Sequence, residues 1–412
     1  MIHFFNKQNL LVWASGLLLT SAASAACHFP DASLGSNDDK QNKQSCLAES
    51  SFVVTPPDAA QVNILELLQS PKASGLKIAN DSVVYCRFHP QKQNGASSKF
   101  RCVRTNEKNQ LYNSKGEIVE SAVSFKEDQD DLLLIDAAGQ IIPDQKAEVM
   151  KVRYFGGDKR NVENYSSTAA SRILWLLGVP AHTNIMTEKV VCTGCGKDPF
   201  RQKSVTKEVT EFKDASIEVK FKAKRIYAPT ESPWGWSDVN ALSWAPEKQV
   251  EIDVMALANH FLGYTSDDRF QNAIVCGERD ENDPKICLKP ITMTHDIGGA
   301  FGDRTKSGLF GGTRPRGDLA AYEKSRIFDN GTCNFKYRSE SGTLPKNISR
   351  AGRQAFLERA ALLTDENLRA LFKASHIANL TARNASEVDQ ITARWARAIA
   401  NKLAEIKNAP CN

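Results

Sequence analysis

One acidic side chain at the end of a predicted strand stands where it could hold a metal ion. Asp296 lies in the stretch ITMTHDIGGAFGD, residues 291–303, after β-branched residues that favour a strand and two residues before Gly298. Asp and Gly are also common turn residues, so the stretch taken alone fits a simple turn. The other interpretation is a carboxylate that binds a divalent cation, because hard cations prefer oxygen ligands.

The segment TSDDRFQNAIV, residues 265–275, offers further oxygen-bearing side chains. Asp267 and Asn272 are separated by four residues, which is the spacing with which phosphoryl-transfer enzymes place a catalytic base and a metal-binding amide. Asp and Asn are also frequent in loops. The spacing therefore indicates chemistry only in combination with other residues.

A lysine and a glutamate earlier in the chain could complete a phosphate-binding site. Lys151 lies in VMKVRY, where strand alternation points its side chain away from the face that its apolar neighbours share. A lysine between apolar residues usually extends its amine to water, which explains most such residues. Glu163 opens the next predicted helix on the line of its apolar face, from which a carboxylate could reach a strand lysine. Acidic residues also favour first turns because of the helix dipole.

Taken in their order along the chain, these residues predict a site for the triphosphate of ATP. Phosphates carry concentrated negative charge, which an ammonium group, divalent cations and oxygen ligands for those cations must offset. In this hypothesis Lys151 neutralises phosphate oxygens and Glu163 orients the lysine. Asn272 and Asp296 bind Mg²⁺ or Mn²⁺, and Asp267 accepts or orients the hydroxyl of the phosphate acceptor. Each residue alone has a simpler explanation, so the prediction rests on the order in which these residues occur along the chain.

Hydrophobic periodicity predicts the elements that would position these side chains. Short strands and turns are predicted from 61 onward, and helical spacing followed by glycine and proline predicts a helix over 161–178. A second amphipathic helix is predicted over 250–264, and the C-terminal part is strongly helical. The order predicts an α+β chain with a β-rich region over 61–230 and a mostly helical region over 231–412.

The N-terminus predicts export. Residues 1–26 contain an early lysine, a short apolar stretch and Ala23-Ser24-Ala25, the small-residue pattern of a signal peptidase site. No later segment is apolar over the length of a membrane span, so no transmembrane segment is expected in the mature chain. Residues 27–60 are polar and are predicted to be a flexible lead-in. The expected location is secreted or periplasmic.

The cysteines agree with an oxidising compartment. All ten follow the predicted signal peptide, which allows five disulfides. The pairings predicted from local sequence are Cys86 with Cys102, Cys276 with Cys287 and Cys192 with Cys195. For the last pair, CTGCG, a structural disulfide is favoured over a redox motif or half of a zinc site. A lipid anchor at Cys27 is the alternative to plain secretion, and Ser24 disfavours it because lipoprotein signals usually have a larger apolar residue there.

The composition argues against a nucleic-acid partner. The 412 residues are 41% hydrophobic and 25% charged, and 53 Lys and Arg residues oppose 48 Asp and Glu residues. Charges of both signs are interspersed, and the sequence has no basic run with aromatic residues of the kind that binds nucleic acid.

The segments that carry the candidate residues resemble the atypical kinase-like superfamily, which includes phosphatidylinositol kinases, HipA-type kinases, spore-coat CotH kinases and secreted Golgi-type kinases. DDRFQN resembles their Asp-Arg-His-x-x-Asn catalytic loop, and THDIGGAFG resembles their Ile-Asp-Phe-Gly-x-Ala-Phe metal motif. A family of secreted bacterial proteins with this core is similar to the chain in scattered blocks between about residues 130 and 405. Those blocks are KVRYFGG, AASRILWLLG, VVCTGCGKDPF, HDIGGAFG and LTDENLRALF.

The resemblance implies a two-lobed, disulfide-stapled kinase-like fold that uses ATP with Mg²⁺ or Mn²⁺. The acceptor would be a hydroxyl of an unknown protein, lipid or small molecule. The Asp-x4-Asn spacing favours Asp267 as the base, whereas the Asp-Arg pair favours Asp268, so both stay candidates. The chain lacks a G-x-G-x-x-G loop, and DAAGQ, residues 136–140, is a candidate for the turn over the phosphates.

A catalytically inactive pseudokinase is the alternative that the same resemblance allows. Relatives often carry an acidic residue where this chain has Ser167. The space outside the cytoplasm is also poor in ATP. In that case the chain would retain the fold and serve as an extracytoplasmic binding or interaction protein.

Overall fold

The structure, a computed structural model, describes most of the chain beyond residue 25. The described residues are 26–30, 36–61, 63–69, 78–91, 97–128, 131–155, 161–219, 224–227, 234–264, 272–294, 297–302, 317–336 and 344–411. Residues 1–25 of the predicted signal peptide lie outside these ranges, and so do Asp267, Asp268 and Asp296. No helix of the described part is long and apolar enough to cross a bilayer.

The mixed helix and strand content predicted from the sequence is confirmed. The helices are α1 Ser36–Glu49, α2 Ile64–Gln69, α3 Val162–Leu177, α4 Trp236–Asn240, α5 Pro246–Phe261, α6 Leu319–Lys324, α7 Arg350–Arg359, α8 Asp365–Ala374 and α9 Ala385–Asn408. The strands are β1 Cys27–His28, β2 Val83–His89, β3 Lys99–Thr105, β4 Ala122–Asp128, β5 Asp131–Asp136, β6 Ile141–Lys146, β7 Val149–Arg153, β8 Thr183–Met186, β9 Lys189–Thr193, β10 Val209–Lys213, β11 Ser216–Val219, β12 Lys224–Tyr227, β13 Ala273–Cys276, β14 Ile286–Cys287 and β15 Pro290–Met293.

The largest sheet of the described residues has seven strands in the order β10-β9-β2-β3-β7-β11-β8. Its neighbours are antiparallel except for β2 and β9, which run parallel. Smaller sheets have the orders β4-β5-β6, β12-β13-β15 and β1-β14. Strand β12 pairs with β13, so the boundary predicted between residues 230 and 231 falls between two strands of one sheet.

One face of the seven-stranded sheet is apolar. Met150 and Val152 of β7 and Tyr154 just after it are buried on this face, as strand alternation predicts. The rings of Tyr154, Phe100 and Phe212 pack against one another, with centroids 4.9–5.5 Å apart. The opposite face of β7 therefore carries Lys151 and Arg153.

Helix α3 joins the larger core formed with the C-terminal helices. Leu174 and Leu177 are fully buried there, and the helix ends at Gly178 in the left-handed conformation, with φ of 69°. The Gly178 N–H bonds to carbonyl oxygens of the last helical turn, which satisfies groups that a helix end leaves unpaired. A Cβ at this position would collide with the Val54 carbonyl. The helix predicted over 161–178 is thus observed.

The structure differs from the prediction of a flexible lead-in over residues 27–60. Residues 36–49 form α1, and Cys46, Leu47 and Phe52 are fully buried in the larger core. The ring of Phe52 packs edge-on against Trp234 and another tryptophan. The prediction followed mean polarity, whereas a few apolar side chains and one disulfide are enough to dock this helix.

The predicted cysteine pairs are at disulfide geometry. Cys86–Cys102, Cys192–Cys195 and Cys276–Cys287 are joined, and the structure adds Cys27–Cys46 and Cys333–Cys411. Their Cα atoms are 4.4–5.7 Å apart, within the range of disulfides. Because the Cys27 sulfur is bonded to Cys46, it is not available for a lipid anchor in this structure.

Candidate functional site

A transverse row of polar residues crosses the second face of the seven-stranded sheet. The strand registers place the following residues opposite one another in sequence across β2, β3, β7, β11 and β8: His89, Arg101, Lys151, Glu218 and Asn184. Residues directly opposite on neighbouring strands have Cβ atoms within about 5.5 Å of each other. The row therefore concentrates charged groups on a face that could bind an anion.

Two further elements pack near the ends of this row. Near β2, the guanidinium of Arg87 donates to the Val123 carbonyl of β4 at 2.7 Å, and the rings of His89 and Phe125 lie 5.9 Å apart. At the other end, the guanidinium of Arg172 of α3 donates to the Asn184 carbonyl at 2.8 Å. The middle of the row, which includes Lys151, lies between β4 and α3.

His89 is held close to its neutral form at the β2 end of the row. Burial lowers the pKa of His89 below its ordinary value of 6.5, and the positive charge of Arg101 lowers it further. The Glu127 carboxylate acts in the opposite direction without reversing the shift. The row also carries the basic side chains of Arg101 and Lys151.

A buried network of ion pairs surrounds Lys151. Its amine lies 2.8 Å from the Glu218 carboxylate, and the Arg153 guanidinium lies 3.2 Å from the same carboxylate oxygen. Arg153 also pairs with Glu163 at 2.9 Å. The side chains of Arg153 and Glu218 are only 3% and 5% exposed, so these pairs are poorly screened by solvent.

This network differs from the expected pairing of Lys151 with the helix glutamate. In the structure Lys151 binds Glu218 of β11, and Glu163 binds Arg153 of β7. Arg153 takes the position nearest the helix because it lies two residues along the same strand face. Sequence reasoning missed Arg153 and Glu218. The sequence feature that could have identified them is the strand alternation in KVR and in SIEV, which places both side chains on polar faces of predicted strands.

The first turn of α3 packs against the glycine of the predicted metal motif. A Cβ at Gly298 would lie 3.0 Å from the Cβ and Cγ atoms of Glu163. The Ser166 hydroxyl donates to the Gly298 carbonyl at 2.6 Å. Glycine thus allows the close approach of the two elements, and Asp296, outside the described residues, precedes it by two positions.

The end of α5 contacts the same segment. The Phe301 N–H donates to the Leu262 carbonyl at 2.8 Å. Phe301 has a left-handed backbone, with φ of 60°, which is costly for a residue with a side chain. Its buried ring packs against Trp395 and Tyr322, which holds the conformation. The segment 265–271, which contains Asp267 and Asp268, begins three residues after Leu262.

The strand pair β13–β15 brings Asn272 to the segment before Asp296. Ala273 pairs with Met293, so Asn272 and Thr294 lie at the same end of this antiparallel pair. Both side chains are buried, and the Thr294 hydroxyl has no hydrogen-bond partner among the described residues. Buried oxygen atoms without partners fit a place where a hard cation or water binds. No group of three or more His, Cys, Asp or Glu side chains within the described ranges could hold a metal.

The turn DAAGQ does not offer its backbone to phosphate as expected. The Asp136 carboxylate accepts hydrogen bonds from the N–H groups of Ala138 and Gln140 at 2.9 Å and 2.8 Å. These donors are therefore already satisfied within the turn. Gly139 provides the positive φ of 78° that the turn between β5 and β6 needs.

Comparison with known proteins does not assign the chain to a family. No protein-family model matches the chain, and no curated protein matches it. Among solved structures the chain is similar to the proinflammatory kinase CtkA of Helicobacter pylori, with a TM-score of 0.37 and 10% sequence identity over 78% of this chain and 95% of that chain. A likeness at this level of superposition and identity does not by itself assign an activity.

Proposed function

We propose that the chain is an exported, ATP- and metal-dependent phosphotransferase of the kinase-like type. One observation carries the proposal: the segment 297–302 contacts both the first turn of α3, through Glu163, and the end of α5, through Leu262. Residues 297–302, which belong to the predicted metal motif, therefore lie next to α3, which bears Glu163, and next to the end of α5, which precedes Asp267 and Asp268. Lys151 is linked to these elements because Arg153, on the same strand, pairs with Glu163 of α3.

The residues fit the roles that phosphoryl transfer requires. Lys151, with Arg101 opposite it, supplies positive charge for phosphate oxygens. Asn272 and Asp296 would hold Mg²⁺ or Mn²⁺, and the buried Thr294 oxygen beside them fits such an oxygen-rich place. The metal, when bound, neutralises charge that develops on the phosphate oxygens.

The transfer itself needs one base from this chain. The Asp267 or Asp268 carboxylate accepts the proton of the acceptor hydroxyl, whose oxygen forms a bond to the terminal phosphorus of ATP. The bond from that phosphorus to the bridging oxygen breaks, and ADP leaves with the bond's electron pair. The acceptor hydroxyl belongs to a protein, a lipid or a small molecule.

Export and a two-lobed arrangement are part of the proposal. The five disulfides support an oxidising compartment, in the periplasm or outside the cell. The separate cores of the seven-stranded sheet and of the helices support a division into a β-rich and a mostly helical part, with the nucleotide between them.

The proposal is tested by measuring ATP affinity with Mg²⁺, with Mn²⁺ and with EDTA, in the wild type and in Asp296→Ala. We expect the metal to strengthen binding in the wild type, and the variant to lose that increment. Asp389→Ala is the matched control, since its carboxylate is 76% exposed on α9. Equal affinity with metal and with EDTA, or no binding at all, would overturn the proposal.

The alternative is a pseudokinase that binds a partner without turnover. One observation favours this alternative. Lys151 forms an ion pair with Glu218, and Glu163 forms one with Arg153, so the lysine and the helix glutamate are paired with other groups. ATP binding without ADP formation, unchanged when Asp267 and Asp268 are both replaced by Asn, would favour this alternative. ADP formation that the double replacement abolishes would favour the enzyme.

A further inference from the structure

We propose that Glu218, on a strand of the sheet, is the residue that positions Lys151 for its ligand, in place of the helix glutamate. The inference rests on the proposed function, because it concerns how the same lysine binds phosphate. Glu218 itself does not contact the ligand in this proposal. It is a positioning residue that acts through the lysine.

The backbone fixes the partnership between these two side chains. Glu218 and Lys151 are directly opposite in the antiparallel register of β11 and β7, and the amine-to-carboxylate distance is 2.8 Å. Both strands are internal to the seven-stranded sheet, with β3 and β8 on the outer sides. The strand pairing therefore keeps the Cβ atoms of Glu218 and Lys151 next to each other.

The geometry leaves the lysine able to bind an anion while it keeps this partner. An ammonium group has three N–H donors, and one is directed to Glu218. The side chain of Lys151 is 15% exposed, whereas that of Glu218 is 5% exposed. The buried carboxylate thus fixes the direction of the amine, and the remaining donors serve the more open side.

Arg153 explains why the helix glutamate is not available for this role. Its guanidinium spans from Glu163 at 2.9 Å to the Glu218 oxygen at 3.2 Å, the same oxygen that Lys151 contacts. Glu163 is therefore neutralised by Arg153, and its effect on Lys151 passes through two ion pairs. We infer a chain of contacts from Lys151 through Glu218 and Arg153 to the first turn of α3.

The test is a double-mutant cycle on the full chain with MgATP as the probe, measured by isothermal titration calorimetry. Lys151→Ala and Glu218→Gln are each expected to weaken MgATP binding about tenfold, a loss of about 1.4 kcal/mol. If Glu218 acts through the lysine, the double variant binds no more than about twofold worse than Lys151→Ala alone. Glu218→Asp, which keeps the charge, is expected to recover part of the affinity.

Glu163→Gln is the matched control, since it removes a carboxylate from the same network. Its coupling to Lys151→Ala is expected to be weaker than that of Glu218→Gln. Thermal melting of each variant shows that it is folded before titration. If Glu218→Gln does not fold, Glu218→Asp replaces it, and the proposal then requires an affinity between those of wild type and Lys151→Ala.

Three results would count against the inference and separate it from the proposed function. Wild-type affinity in Glu218→Gln, while Lys151→Ala loses binding, overturns the role of Glu218 and leaves the phosphotransferase intact. If the losses of MgATP affinity in Glu218→Gln and Lys151→Ala add up in the double variant, Glu218 acts independently of the lysine. That result also overturns the positioning role. Absence of MgATP binding in the wild type removes the proposed function, and the positioning role with it.

Discussion

The side chain of Glu163 lies against the backbone of Gly298, so closely that a Cβ on the glycine would be 3.0 Å from two carbon atoms of the glutamate. This contact joins the first turn of α3 to the segment that follows Asp296. An added Cβ would require Glu163 or the segment to shift by a few tenths of an ångström, because real Cβ contacts are seldom that short.

Gly298→Ala is therefore expected to damage both stability and nucleotide binding. Overpacking of this kind costs about 1–3 kcal/mol, and the displaced Glu163 would disturb Arg153 as well. Urea unfolding and MgATP titration measure the two effects. Gly196→Ala is the control, since its nearest contact is a single atom, the side-chain oxygen of Gln202, at 3.2 Å. Equal effects of the two substitutions would contradict the importance of the contact.

Arg153→Met is expected to be strongly destabilising. The guanidinium is 3% exposed and lies between the carboxylates of Glu163 and Glu218. Its removal leaves like charges facing each other in a poorly solvated place, which costs about 3–5 kcal/mol. Chemical denaturation checks this, with Arg394→Met as the control. Arg394 pairs with Glu323 but is 52% exposed, so that loss should stay below about 1 kcal/mol.

His376 provides a prediction for the pH dependence of stability. Its ring nitrogens lie 2.6 Å from Asp81 and 2.9 Å from Asp214, and Asp214 also accepts a hydrogen bond from the Tyr165 hydroxyl. Burial acts to lower the pKa of His376, but the hydrogen bonds and charges of Asp214 and Asp81 outweigh it, and the pKa is raised above 6.5. The folded state thus binds the proton more tightly than the unfolded state.

The stabilisation from protonated His376 is fully present below pH 6.5 and is lost as pH rises through the raised pKa of the folded state. The variant for the test is His376→Asn, because the position has φ of 55° and Asn tolerates that backbone better than most residues. The difference in unfolding free energy between wild type and variant should be larger at pH 6 than at pH 9. A difference that grows toward alkaline pH would refute this account.

The disulfides should differ in how much they stabilise the fold. Cys333 and Cys411 are 78 residues apart in sequence, whereas Cys192 and Cys195 are 3 apart. In the loop-entropy description the long link contributes about 4–5 kcal/mol and the short one about 2 kcal/mol. Paired replacements with Ser, compared by denaturant unfolding, test the order. A larger loss from the short link would show that local native contacts decide instead.

Periodicity and local turn signals predicted much of the secondary structure because they depend on neighbouring residues. The helix that ends at Gly178 and the alternation around Lys151 are examples, and so is the pairing of Cys86 with Cys102 across two strands. In each case the interacting residues are close in sequence or repeat along one element.

The partner of Lys151 could not be found in this way. Glu218 is 67 residues further along the chain, and the two meet only because β11 inserts between β7 and β8 in the sheet order. Strand order is a tertiary property that single-sequence patterns do not contain. The docking of α1 was missed for a similar reason, since Leu47 and Phe52 find their partners far along the chain.

The two-sided character of β7 also has a consequence during folding. A slip of this strand by one residue against its neighbours would turn Lys151 and Arg153 into the cluster of Phe100 and Phe212 rings, and would expose Met150 to the polar side. Such an error would bury two unpaired cations among hydrocarbon, which makes the shifted register energetically unfavourable. The charges of Lys151 and Arg153 therefore also help to specify the register of the sheet.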